Sequence, residues 1–345
     1  MKIVVVGSQG TLGSELAKYW NDPYVESRIA ASTGAPIVES RDEIVAFNLP
    51  DFDFCSRALA IDSVLEVKPD VVINAAGVNL IDWLESRPNT ARNVHEHGTA
   101  NLKEAANRCG ALLVQFGCGE VFYRSRLERG AVDERERAES PEAARAKVAP
   151  FASDADRDLP IAPEATPFDE FTVPNPSSVY AKTKLESERV AAEARESLVL
   201  RFSSLFGETT PYSSGNLVSS LLTAFRRAPR VSALDDVLME PLWALDVLCA
   251  TKTLIRLGAR GLYHLTGGSR ATPKEIAEFL LRQTGLRGRE VVGITREEYG
   301  VQAPRSAFTL LTSVRGESAV GAYSIPDWQT ALRDYFARRA QLSGF

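Results

Sequence analysis

Short apolar runs alternate with segments of helical spacing along the first part of the chain. Residues 2–6 form a β-branched run that predicts a strand, and residues 11–20 then show the periodicity of an amphipathic helix. The same patterns predict strands at 36–39, 70–74 and 111–116 and helices at 53–67 and 92–109. Nearly continuous apolar strands that alternate with helices indicate a parallel sheet covered on both faces, a doubly wound (Rossmann-like) α/β fold.

The later part of the chain continues this alternation and then changes character. A helix at 178–194 and a strand at 198–202 complete a predicted dinucleotide-binding domain over residues 1–214. Residues 215–345 predict a smaller C-terminal α/β substrate lobe, with segments that return to the first domain. Its expected elements are helices at 272–283 and 327–338 and strands at 261–265 and 290–294.

One region interrupts the alternation. Residues 123–167 are rich in Arg, Glu, Ala and Pro and contain few large apolar side chains. We interpret them as an insertion made of a solvated helix and a loop, with a lid or a partner surface as the alternative.

Composition narrows the classes of partner and compartment. The net charge of −5 and the sequence pI of about 5.5 argue against a nucleic-acid or membrane partner, so a small molecule is expected. Cys55, Cys109, Cys118 and Cys249 show no CxxC spacing, which predicts free thiols in a reducing compartment and no metal site. The apolar run at the N-terminus is too short for a signal peptide. We therefore expect a cytoplasmic protein; the oligomeric state stays open, a homodimer being one expectation.

The loop between the first strand and the first helix has the spacing GxxGxxG. The first glycine allows a tight turn, the second a close approach of backbone to a pyrophosphate, and the third a close packing of helix on strand. The N-terminus of the helix then offers free N–H groups and the positive end of its dipole. A dinucleotide is the implied cofactor, and its predicted contacts here are Gly7, Gln9, Gly10, Thr11, Leu12 and Gly13.

The end of the second strand decides between NAD and NADP. An acidic residue there binds the ribose 2′-hydroxyl, whereas an Arg accommodates a 2′-phosphate. If the strand ends near Glu39, then Ser40 and Arg41 occupy the discriminating position. This placement favours NADP, with NAD as the alternative.

Tyr180 and Lys184 are four residues apart in a predicted helix, so they share one face. An ammonium group beside a phenol favours ionisation of the phenol. Tyr180 is therefore a candidate general acid and base, and Lys184 is its candidate activator.

Together, the glycine loop, Asn74-Ala75-Ala76-Gly77 and the Tyr180 and Lys184 pair resemble the extended short-chain dehydrogenase/reductase family. Within it, the chain is most similar to the dTDP-4-dehydrorhamnose reductase branch. Further segments that carry the likeness are 82–86, 174–180, 261–265, 304–306 and 326–328. The resemblance implies a nicotinamide cofactor held in part by Asn74, Ala75, Ala76 and Lys184, and hydride delivery to a sugar keto group with Tyr180 as proton donor.

Three positions depart from the family pattern. The family places a Ser or Thr hydroxyl where this chain has Cys118, and a thiol is a weaker hydrogen-bond donor. Cys118 is then either a buried small residue or a thiolate activated by Lys184. Glu120 matches a glutamate that related dehydratases use as a base, although the acidic residue that precedes it there is Gly119 here. His95 replaces the family's Asn and is a candidate proton relay or a structural residue.

Three functions follow from these motifs. The first is an NAD(P)H-dependent reductase of a nucleotide-linked 4-keto-6-deoxy sugar. The second is a nucleotide-sugar epimerase or dehydratase that retains its cofactor and uses Glu120 or Cys118 as an extra acid or base. The third is a catalytically impaired protein that binds the cofactor for regulation. The intact Tyr180 and Lys184 favour an enzyme.

Overall fold

The computed structural model describes residues 1–39, 41–125, 166–315 and 322–343. The strands of its central sheet are β1 (Lys2–Val6), β2 (Glu43–Phe47), β3 (Val71–Asn74), β4 (Leu112–Cys118), β5 (Ser197–Phe202) and β9 (Gly261–His264). Among the described residues, these six strands pair in parallel in the order β2-β1-β3-β4-β5-β9. The predicted doubly wound α/β fold is confirmed.

Six of the described helices fall close to the predicted segments, and the others had no predicted counterpart. In chain order the described helices are α1 (Thr11–Tyr19), α2 (Pro23–Thr33), α3 (Arg57–Val67), α4 (Ile81–Glu85), α5 (Pro88–Arg92), α6 (Gly98–Cys109), α7 (Val179–Ala192), α8 (Leu217–Arg227), α9 (Ala244–Arg256), α10 (Pro273–Thr284), α11 (Arg296–Tyr299) and α12 (Trp328–Ser343). A π-helical turn, Asn93–His97, joins α5 to α6 inside the helix predicted at 92–109. Within the ranges described, no helix is long and apolar enough to cross a membrane.

The sheet buries both of its faces. Ile3 and Val5 belong to one apolar cluster and Val4 and Val6 to another, as expected when alternate residues of a strand point to opposite faces. Helices α1, α2 and α9 contribute to the first cluster, and α3, α6 and α7 to the second. Burial on both sides explains why the strand reads as an unbroken apolar run.

The C-terminal part of the chain contributes both to a separate strand pair and to the central sheet. Strands β7 (Arg230–Leu234) and β10 (Glu290–Ile294) form a parallel pair that contacts α8 and α10. In contrast, β9 pairs with β5 in the central sheet, and α9 packs on α1. Strands β6 (Ser204–Phe206) and β8 (Pro241–Trp243) form a further short parallel pair. Both lie between β5 and β9 in the sequence. The returning segments therefore interleave with the first domain, and the boundary at residues 214 and 215 stays a prediction.

The second strand was predicted at the wrong place. Residues 36–39 are not a strand; Ile37 and Val38 are 65% and 48% exposed, and β2 is Glu43–Phe47. Every residue of β2 pairs in register with β1, from Glu43 beside Lys2 to Phe47 beside Val6. Two short apolar runs compete here, and 43–47 is the run whose backbone pairs with β1. The predicted insertion at 123–167 lies almost wholly outside the described residues.

Candidate active site

The glycine loop joins β1 to α1 with little space to spare. Gly7 has φ of +80°, and a Cβ on it would lie 2.6 Å from the backbone nitrogen of Ala76. A Cβ on Gly13 would lie 2.1 Å from the Gly7 carbonyl oxygen. A Cβ on Gly10 would meet only that same oxygen, at 3.4 Å. Gly7 and Gly13 are thus required for packing, whereas the surface at Gly10 is open to a ligand.

Helix α1 begins directly behind this open surface. Gly10 is its N-cap, no side chain caps the first turn, and no acidic residue lies in that turn. Gly10, Thr11 and Leu12 line the main cavity. The unpaired N–H groups and the positive end of the helix dipole fit a pyrophosphate.

The wall opposite the loop is set by Asn74 at the end of β3. Its buried amide nitrogen donates to the Gln115 side-chain oxygen (2.8 Å), and its oxygen accepts from the backbone N–H of Ala76 (3.2 Å). These bonds hold Ala75 and Ala76 against the glycine loop. Because sequence order reverses between β1 and β3, the crevice lies at the switch point where doubly wound sheets bind ligands.

The four residues predicted to be catalytic meet in this same cavity, which measures about 850 Å³. Cys118 ends β4, Glu120 follows in a 3₁₀ turn, and Tyr180 and Lys184 extend from the first two turns of α7. Ser178 caps α7 by accepting from the N–H of Ala181 (3.1 Å). A parallel strand and a capped helix thus bring together residues that are about sixty positions apart in the sequence.

The pKa shifts of Tyr180 and Lys184 differ from the prediction. The Tyr180 hydroxyl interacts with the Cys118 thiol, and burial and Cys118 raise the pKa of Tyr180 well above its usual value. The Lys184 ammonium donates to the Phe116 carbonyl (2.6 Å), and burial lowers the pKa of Lys184. The expectation that Lys184 lowers the Tyr180 pKa is therefore wrong for this structure, because desolvation of the phenolate dominates.

Cys118 is a protonated thiol at neutral pH. It is buried, and desolvation raises its pKa to about 11 in spite of the nearby Lys184. A thiolate role has no support from this environment, since activated thiolates need a lowered pKa. The thiol instead lies against Tyr180, where the family places a hydroxyl.

Glu120 is the group of the cavity that titrates near neutrality. Burial raises its pKa to about 7, while the N–H of Ser306 and the guanidinium groups of Arg305 and Arg296 partly offset that rise. The Ser306 nitrogen lies 3.4 Å from a carboxyl oxygen of Glu120. A carboxyl with this pKa can donate or accept a proton at pH 7.

His95 is held as a structural residue. It is buried, its Nδ1 lies 2.9 Å from the Thr183 hydroxyl, and its Nε2 accepts from the N–H of Val78 at 3.2 Å. Burial and Lys184 lower its pKa to about 3, so the ring is neutral at physiological pH. Its ring also stands edge-on to Tyr180, with centroids 5.7 Å apart. These contacts position α7 and favour the structural alternative.

Arg41 does not lie at the end of the second strand, where it was predicted to read the ribose. Ser40 lies outside the described residues, and Arg41 precedes β2, where its side chain is 87% exposed and pairs with Glu39. The carboxyl end of β2 is Phe47, whose carbonyl accepts from the N–H groups of Gly7 and Ser8. The position after the strand belongs to Asn48, whose amide donates to Gln9 (2.5 Å). The error in the strand carried over directly to this site.

Several hydroxyl groups of the cavity were not predicted from the sequence, among them those of Ser203 and Thr309. Ser203 follows β5, and its hydroxyl lies 2.8 Å from that of Thr309 and accepts from the N–H of Glu240 (3.0 Å). Both residues line the cavity. A signal for Ser203 was present, since ligand-binding residues follow the carboxyl ends of parallel strands. Thr309 had none, because its place depends on how the last third of the chain returns to the sheet.

A doubly wound sheet with this glycine loop and a Tyr and Lys pair on one helix defines a short-chain dehydrogenase/reductase. Comparison with known families agrees. Residues 3–147 match the NAD dependent epimerase/dehydratase family, and residues 154–341 match the RmlD substrate binding domain. The second match spans more than half of the chain, which therefore belongs to the RmlD substrate binding domain family. The resemblance predicted from the motifs is confirmed.

Individual relatives are distant but cover most of the length. A dTDP-4-dehydrorhamnose reductase of Sinorhizobium fredii is 25% identical over 84% of this chain and 88% of its own. The spore coat polysaccharide biosynthesis protein SpsK of Bacillus subtilis is 21% identical over 98% of both chains. The solved dTDP-4-dehydrorhamnose reductase of Clostridium acetobutylicum superposes with a TM-score of 0.77 at 22% identity, covering 98% of this chain and 99% of its own. That of Bacillus anthracis, solved in complex with NADP, reaches 0.75 at 19% identity, with the same coverage.

Proposed function

We propose that this protein is an NAD(P)H-dependent reductase of a nucleotide-linked 4-keto-6-deoxy sugar. The observation that carries the proposal is the single cavity in which Tyr180 and Lys184 face the open end of the glycine loop. Relatives named dTDP-4-dehydrorhamnose reductase, one of them solved with NADP, support the same chemistry.

The described residues fit a nicotinamide dinucleotide. The N–H groups at the start of α1, behind Gly10, would hold the pyrophosphate, and Ala75 and Ala76 form the opposite wall. Asn48, at the end of β2, takes the position that reads the ribose 2′ group. The relative from Bacillus anthracis was solved in complex with NADP, which supports NADP as the cofactor. The cofactor supplies the hydride when it is bound.

Side chains of the protein would carry out the proton transfer that accompanies the reduction. Tyr180 is protonated at neutral pH because its pKa is raised, as the donor in a reduction requires. It would donate its hydroxyl proton to the oxygen of the sugar carbonyl as negative charge develops there. Lys184, anchored on the Phe116 carbonyl, provides positive charge beside the resulting phenolate. Cys118 offers only a weak donor to the same oxygen.

A direct assay tests the proposal. Purified protein is mixed with NADH or NADPH and a panel of dTDP-, UDP- and GDP-4-keto-6-deoxyhexoses, and loss of reduced cofactor is followed by absorbance. We expect oxidation with at least one keto sugar and none with dTDP-glucose, which has no keto group. Tight cofactor binding without turnover of any keto sugar would contradict the reductase and favour a regulatory role.

The titration of Glu120 favours a second candidate, an epimerase that acts beside the keto group. A carboxyl with a pKa of about 7 can remove a proton from the carbon next to a carbonyl. The two activities are separated in deuterium oxide. An epimerase incorporates deuterium at that carbon without net loss of reduced cofactor, whereas a reductase consumes the cofactor in proportion to product.

We further propose that the enzyme works in the cytoplasm and forms a homodimer. Four free cysteines among the described residues support a reducing compartment. Light scattering of the purified protein tests the dimer: a mass near 37.7 kDa would indicate a monomer, and twice that value a dimer.

A further inference from the structure

A buried ion pair lies directly beneath the catalytic pair. Glu188 and Arg201 are both fully buried, and the Arg201 Nε and Nη2 atoms lie 2.7 and 2.6 Å from one carboxylate oxygen of Glu188. Neither residue lines the cavity, and the proton transfer described above does not use them. Burying two charges is costly, so their position invites a functional explanation.

The second carboxylate oxygen of Glu188 points at the catalytic strand. Within the described part of the chain, this Oε1 atom has no hydrogen-bond partner. A Cβ on Gly117 would lie only 2.1 Å from it, so the oxygen abuts β4 between two functional residues. Phe116, on one side, accepts from Lys184, and Cys118, on the other, interacts with Tyr180. The absence of a side chain at Gly117 is what admits the carboxylate.

Glu188 also shares a helical face with the catalytic pair. It lies four residues after Lys184 on α7, a spacing that makes the two side chains neighbours. A nearby carboxylate favours the charged form of a lysine, whereas burial disfavours it. Burial does lower the pKa of Lys184, and Cys118 and Glu188 act in the opposite direction.

Three other titratable groups near Lys184 carry no charge at neutral pH. The pKa of Cys118 on β4 is raised to about 11, and that of His95 in the π-helical turn is lowered to about 3. Tyr180 on α7 is protonated, since its pKa is raised well above its usual value. Arg201 on β5 faces Glu188. Among the described groups that act on Lys184, the carboxylate of Glu188 is thus the one negative charge.

We infer that Glu188 is a positioning residue, whose buried carboxylate keeps Lys184 protonated and seated on the Phe116 carbonyl. The inference rests on the proposed function, in which Lys184 must be positive when Tyr180 gives up its proton. Arg201 holds the carboxylate in place, and Gly117 lets it approach. Glu188 acts through Lys184 and touches neither substrate nor cofactor.

Competitive acetylation of the whole protein tests this role without a substrate. Acetic anhydride modifies only neutral amines, so the pH midpoint of Lys184 labelling, read by mass spectrometry, reports its protonation. Glu188→Gln keeps an acceptor for Arg201 but removes the charge. We expect the midpoint to fall by about one pH unit relative to the unmodified chain, with a parallel loss of cofactor affinity at high pH.

Glu26→Gln is the matched control. Glu26 is a second buried glutamate, paired with Lys252 and Arg256 between α2 and α9 and outside the cavity. Its substitution should lower the melting temperature without moving the Lys184 midpoint. An unchanged midpoint in Glu188→Gln would overturn the inference.

If Glu188→Gln does not fold, labelling of the unmodified protein provides a second test. A Lys184 midpoint above pH 7 supports the inference, and one below pH 7 overturns it. Because labelling needs neither keto sugar nor turnover, this result stands apart from the outcome of the reductase assay.

Discussion

The two walls of the cavity are built on different physical principles. The cofactor wall (Gly7–Gly13 and Asn74–Ala76) consists of backbone groups and close packing and has no side chain that titrates. The catalytic wall (Cys118, Glu120, Tyr180 and Lys184) consists of buried ionisable side chains, each with a shifted pKa. Substitutions in the first should act through shape at every pH, and substitutions in the second through charge and proton transfer.

The largest effect is expected on the catalytic wall, from Tyr180→Phe. Removing the hydroxyl deletes the proton donor, so kcat should fall roughly 10²- to 10⁴-fold. Cofactor affinity, measured by fluorescence titration, should stay within about twofold because the cofactor wall is intact. Retention of most of the activity would show that another group donates the proton, and the contrast between the walls would fail.

Gly13→Ala tests the cofactor wall. Its Cβ would lie 2.1 Å from the Gly7 carbonyl oxygen, so the start of α1 must move. We expect a loss of about 1–3 kcal/mol in the free energy of unfolding, together with weaker cofactor binding that does not vary with pH. Chemical denaturation and fluorescence titration measure the two.

Gly10→Ala serves as the comparison for that variant. The space at Gly10 accommodates a Cβ, and its φ of −75° suits any residue, so stability should be retained while the cofactor binds less tightly. Equal stability losses at the two glycines would contradict the distinction between packing and ligand approach.

Cys118→Thr sharpens the account of the catalytic wall. A hydroxyl donates more strongly than a thiol, and an oxyanion donor is worth up to about 4 kcal/mol, so recovery of part of it should raise kcat about tenfold. Cys118→Ser, which adds no methyl group, controls for size. A fall in kcat with both variants would mean that the thiol has a role of its own.

The smallest effect is expected at the edge of the cofactor wall. Asn48→Arg places a cation at the end of β2 and should improve the affinity for NADPH relative to NADH by about fivefold, with Asn48→Asp acting in the opposite direction. The dissociation constants of each variant for NADPH and NADH measure this change in relative affinity. If neither variant changes the ratio, the 2′ group is read elsewhere.

The two walls also differ in the interactions that hold their residues in place. The cofactor wall is braced by neutral hydrogen bonds, such as those of Asn74 with Gln115 and Ala76. The catalytic wall rests on a buried charge pair. We therefore expect the chemistry of the protein to depend on residues that never face the cavity.

Local sequence patterns were enough for much of the fold and for the core of the site. The strands β1, β3 and β4 are buried on both faces, so each appears as an apolar run that no neighbouring segment matches. The glycine spacing and the four-residue step from Tyr180 to Lys184 are equally local, because turn geometry and helical periodicity act over a few residues.

Other features depended on the tertiary structure. Two apolar runs competed for β2, and only pairing with β1 selected Glu43–Phe47, which moved the end of the strand from Glu39 to Phe47. Burial by several elements at once also determines three properties of the catalytic wall. These are the direction of the Tyr180 pKa shift, the protonated state of Cys118 and the contact of Glu188 with Gly117. The sequence by itself determined which chemical groups are present, whereas desolvation, which arises only when distant segments pack, decided their charge states.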